Sequence, residues 1–106
     1  MSEPVVLADL RAEVDVPVGG ILSRTVHRDE HSSLTVFAFD AGQELTEHTA
    51  ARPAIIEILE GTAEVSMGGD VHRVGVGGWV ALPPRTPHGI LATTPLKVAL
   101  LLIGPA

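Results

Sequence analysis

No stretch of this chain keeps its apolar residues on a helical period for long, because glycine, proline and short polar clusters interrupt it every eight to twelve residues. A helix needs ten or more residues of one period to bury a stripe, whereas a strand needs only four to eight. The spacing predicts strands at 21–27, 34–40, 45–50, 54–59, 62–67, 71–74, Trp79–Leu82 and Leu96–Ile103, with another opening at His88. The connections agree. Residues 28–33 form a polar turn, and Gly68-Gly69-Asp70 can supply the positive φ that a tight hairpin demands. Pro83-Pro84-Arg85-Thr86-Pro87 is a stiff loop that delivers His88. Many short strands with frequent turns favour an antiparallel sandwich or barrel over a parallel sheet. The fold class is therefore all-β, and 106 residues make one domain.

Charge narrows the partners. Seven Lys and Arg stand against thirteen Asp and Glu, a formal charge of −6. Such a chain repels phosphate backbones and anionic headgroups, so neither nucleic acid nor a membrane is expected as a partner. No apolar run approaches the ~20 residues of a membrane span, and the first residues lack the pattern of a signal peptide, so a cytoplasmic location is expected. There is no cysteine. Any metal must then be held by histidine, carboxylate or water.

Glycine and histidine recur at set spacings through the middle of the chain. Gly42 is followed after five residues by His48, then by Ala50, Ala54 and Gly61; Gly77 is followed after five by Pro83, then by Arg85 and His88. These stretches resemble the two sequence motifs of the cupin superfamily, small antiparallel jelly-roll β-barrels. The first family motif runs Gly, five residues, His-X-His, three or four residues, Glu, six residues, Gly. Here Ala50 stands in the place of the second histidine and Ala54 in that of the glutamate. In the second motif Arg85 replaces the inner glycine and Ala92 the terminal asparagine. The resemblance implies a single cupin domain over 1–106, with motif one at 42–61 and motif two at 77–92.

Of the four ligand positions that the resemblance implies, only His48 and His88 keep a donor. Both are candidate metal ligands and candidate catalytic residues, since imidazole titrates near neutral pH. Two imidazoles hold a divalent ion (Zn, Fe, Mn or Ni) only weakly, because a stable site usually takes three protein ligands. Glu57 could replace the lost carboxylate if a bulge near Pro53 turned it inward; unshifted alternation leaves it pointing out. Arg85 could fork onto a substrate carboxylate at the barrel mouth.

Two functions follow. In one, the barrel binds a small molecule in a cavity lined by Ala50, Ala54, Ile56 and Ile58, which two alanines have emptied of polar ligands. In the other, it is a dioxygenase-like or isomerase-like enzyme using a metal or the histidines as acid and base. Leu96–Ile103 is apolar on both faces after Lys97. One of those faces needs a cover, which predicts a homodimer; an intramolecular lid from the first twenty residues is the competing explanation.

Overall fold

A computed structural model describes residues 3–105 of the chain. Nine strands follow one another: β1 (Ile21–Arg28), β2 (Ser32–Phe39), β3 (Glu44–His48), β4 (Ala54–Glu60), β5 (Ala63–Met67), β6 (Asp70–Val74), β7 (Trp79–Leu82), β8 (His88–Ala92) and β9 (Leu96–Ile103). They form a five-stranded sheet in the order β1-β2-β9-β4-β7 and a four-stranded sheet in the order β3-β8-β5-β6. Every ladder is antiparallel. The architecture is all-β, as the turn spacing predicts, and the jelly roll that the resemblance implies.

Period-two burial builds the interior. Along β4, Ala54, Ile56 and Ile58 are buried while Glu57 is exposed. Along β9, Leu96 and Val98 are fully enclosed and Leu100 and Leu102 pack against the same core. These side chains meet Phe39, Val65, Leu82 and Ile90 between the two sheets. Each fully buried Leu, Ile, Val or Phe is worth about 1.5–3 kcal/mol, and that shared core holds the sheets face to face. Gly68 and Gly69 both take positive φ, at 57° and 91°, and close the β5–β6 hairpin as a primed turn.

A second apolar cluster lies on the outer face of the five-stranded sheet. Val36 and Ala38 are fully buried there beside Val14, with Leu10, Val16, Val26 and Leu59 around them. The cover is local in part: a single 3₁₀ turn at Leu10–Glu13, capped by the Asp9 side chain, lies in this segment. Lys97, the polar residue on the outer face of β9, donates from Nζ to the Arg11 carbonyl at 2.7 Å and ties that segment down. The apolar outer face that the sequence leaves to a lid or a second subunit thus has part of its lid in the same chain.

Asp29 fastens the β1–β2 hairpin. One carboxylate oxygen accepts from the His31 and Ser32 backbone N–H groups at 2.7 and 2.9 Å, while the other lies 2.8 Å from His27 Nε2. The His27 bond, then the two backbone bonds, lower its pKa from 3.8 to about 2. A depressed carboxylate pKa contributes stability above the unfolded value and loses it as pH falls through the folded one. Acidification from about pH 4 to 2 should therefore release the hairpin. A carboxyl-carbon titration of Asp29 with its midpoint in the ordinary carboxylate range would contradict this.

Candidate functional site

His88 opens β8 and shares its inner face with Ile90 and Ala92; it is only 3% exposed. His48 closes β3, is exposed, and is its direct cross-strand partner. The two imidazoles stack at a tilt of 54°, with ring centroids 4.4 Å apart. The structure thus brings together the two histidines that the motif frame singled out.

A bulge makes this possible. Leu45 pairs with Ile90 and His48 with His88, so three steps on β3 span two on β8. Without the extra residue, Leu45 and His48 would face opposite sides of the sheet. Gly89 lies between the paired positions and leaves room for the bulge. A Cβ there would lie 3.1 Å from the Leu45 carbonyl oxygen, 3.3 Å from the Glu47 nitrogen and 3.0 Å from Ser66 Oγ.

Both rings are oriented in the same way. Nδ1 of His48 lies 2.9 Å from the Thr46 carbonyl oxygen, and Nδ1 of His88 lies 2.9 Å from that of Thr86. A carbonyl only accepts, so each Nδ1 carries the hydrogen and each Nε2 presents its lone pair when the ring is neutral. Among the described residues no fully enclosed side-chain nitrogen or oxygen lacks a partner, so the unpaired Nε2 of His88 still reaches solvent. Met67, cross-strand from His88 on β5, supplies a half-buried, polarisable neighbour. Neither Met67 nor Gly89 stood out in the sequence. The repeated Thr-X-His, at Thr46-Glu47-His48 and Thr86-Pro87-His88, was the available signal.

The other expected residues fall elsewhere. Glu57 is exposed on the outer face of β4, because the register runs unbroken from Ala54 to Ile58. The bulge that would have turned it inward is absent there, and Glu57 does not join the histidines. Ala54, Ile56 and Ile58 are 1–2% exposed inside the packed core. That exposure leaves no water-sized space against them, and neighbouring side chains fill the volume expected for a cavity. Ala50 lies beyond the end of β3, half-buried, with its carbonyl oxygen accepting from the Arg85 N–H at 2.7 Å. Two clefts, of about 520 and 410 Å³, lie away from the histidines under the N-terminal segment; Val5, Leu34 and Leu101 line the larger. Each is an open groove, and neither His48 nor His88 lines it.

Arg85 has φ of 63°, the one non-glycine with positive φ among the described residues. A side chain in that region costs roughly 1–2 kcal/mol, which explains why the family motif places glycine here.

The donor set does not fit a resident metal. Among the described residues no group of three His, Cys, Asp or Glu can hold an ion. Two imidazole nitrogens stop one short of the usual three protein ligands.

The cupin domain family matches residues 35–104. Among solved structures, the chain is similar to a conserved protein of unknown function from Streptococcus pyogenes, at 30% identity and TM-score 0.85, covering 99% of this chain and 92% of that one. It is also similar to an RmlC-like cupin from Desulfovibrio desulfuricans, at 29% identity and TM-score 0.80, covering 100% and 99%. KdgF from a Halomonas species is similar at 28% identity and TM-score 0.75, covering 88% and 86%. Comparison with curated proteins by sequence gives no match.

Proposed function

Since this chain belongs to the cupin superfamily, we propose that it binds a small molecule at the His48–His88 pair, without a resident metal. One observation carries the reading: two adjacent, tilted imidazoles whose Nδ1 atoms are both engaged by backbone carbonyls, leaving both Nε2 atoms for a ligand. A neutral imidazole Nε2 accepts a hydrogen bond, and a protonated one donates it. A ligand hydroxyl that reaches both Nε2 atoms can therefore donate to a neutral one and accept from a protonated one. The ligand sits at the rim rather than deep in the barrel, since Ala54, Ile56 and Ile58 are closed into the core.

A fragment screen followed by NMR on the labelled protein tests this. Binders should move the ring resonances of His48 and His88 together, and His88→Ala should weaken them by about tenfold or more, equivalent to ~1.4 kcal/mol. Binders that instead perturb Val5, Leu34 and Leu101 would move the site to the outer cleft and overturn the reading.

A further inference from the structure

Arg85 combines three properties that a surface arginine rarely combines. Its backbone is in the left-handed region at φ 63°. Its N–H is pinned to the Ala50 carbonyl at 2.7 Å, which sets it two residues from His48 along one strand end and three from His88 along the other. Its guanidinium is exposed and, among the described residues, has no acidic partner within ion-pair reach, although the chain carries a net charge of −6. The loop is also held on its far side, where the Gly68 N–H donates to the Pro87 carbonyl at 3.2 Å. A residue kept in a strained conformation, on a loop clamped at both sides and three residues before His88, is held there by its surroundings.

Resting on the ligand-site reading above, we infer that the ligand is a small carboxylic acid bearing a hydroxyl, its carboxylate held by Arg85 and its hydroxyl between the two imidazoles. The guanidinium offers parallel N–H donors that match a planar carboxylate. A phosphate ester would bring a second negative charge to an acidic surface, with one guanidinium to meet it. A monocarboxylate matches that single cation. With both rings neutral the histidine pair has no charge with which to prefer an acid over its neutral analogue, so discrimination falls to Arg85. It is a specificity-determining residue, at the motif position where glycine would relax the loop.

Lactate and lactamide make the test, because they share the hydroxyl and differ in the charged group. In the wild-type protein, lactate should displace the His48 and His88 ring resonances with an affinity at least about tenfold above that of lactamide, a difference of ~1.4 kcal/mol. Arg85→Gly accepts the backbone without strain and should fold at least as well. It should bring lactate down to the lactamide level while leaving lactamide unchanged. Arg85→Lys keeps the charge but loses the fork and should fall between. Equal affinities for the two probes in the wild type, or a lactate affinity unmoved by Arg85→Gly, would overturn the inference while the histidine site stands. Lactate that shifts Arg85 but neither imidazole would overturn both the inference and the histidine-site reading, leaving only a carboxylate dock. Inorganic phosphate that competes as strongly as lactate, or no response to either probe, also counts against it.

Discussion

Replacing Gly61 by alanine is expected to lower the melting temperature by roughly 10–30 °C. Gly61 ends the first motif at the β4–β5 turn with φ of 84°. A side chain there is strained by about 1–2 kcal/mol from the backbone alone. An added Cβ would also collide with the Pro95 carbonyl oxygen and lie 2.8 Å from Thr94 Oγ1. Thr94 Oγ1 itself accepts from the Thr62 N–H at 3.0 Å, so the neighbour has little freedom to retreat. Overpacking of that kind adds about 1–3 kcal/mol. Gly42→Ala is the control: its φ is 85°, but nothing lies within 4 Å of the added carbon. It should cost only the backbone strain, about 1–2 kcal/mol. Equal losses for the two variants in thermal denaturation would mean that the Pro95 contact is unimportant.

Ala50→His should raise zinc affinity by at least tenfold and up to about a hundredfold, ~1.4–2.7 kcal/mol. The wild type offers two Nε2 atoms and should bind added zinc only weakly; a third imidazole from the position two residues past His48 would complete the usual minimum. Isothermal titration at neutral pH reads the difference. Acid should weaken binding in both proteins, since the proton and the ion compete for the same nitrogen. Ala54→Glu, the other family ligand, should behave differently. Ala54 is 2% exposed among apolar neighbours, so a carboxylate there is buried without a partner and destabilises the fold by several kcal/mol. An Ala50→His variant that binds zinc no better than its parent would show that residue 50 does not aim at the same point as the pair.

The strands were legible because burial follows a period of two, and most of their limits lie within two residues of those read from turn chemistry. His48 and His88 were legible through spacing alone. Their meeting at one mouth is implied by the resemblance, but the β3 bulge was not legible, although Leu45 and His48, an odd number of residues apart, share a face only through it. Period counting has no term for an extra residue. The 3₁₀ turn at Leu10–Glu13 was equally hidden, since four residues are too few to show a helical repeat. The inward face of Ala54, Ile56 and Ile58 was legible, but not how closely those residues join the core. Alanine at 54 removes bulk from one position, but Ile56, Ile58, Leu82 and Ile90 close around it.

The orientation of the two imidazoles depends on the carbonyls of Thr46 and Thr86, not on the threonine side chains. Main-chain oxygens survive almost any substitution, so residues 46 and 86 can drift without turning either ring. The mouth therefore separates two kinds of heritable change. Side-chain changes at 46 and 86 leave the pair of nitrogens in place, while a changed backbone path in the loop at Arg85 would carry the Thr86 carbonyl, and with it the His88 ring.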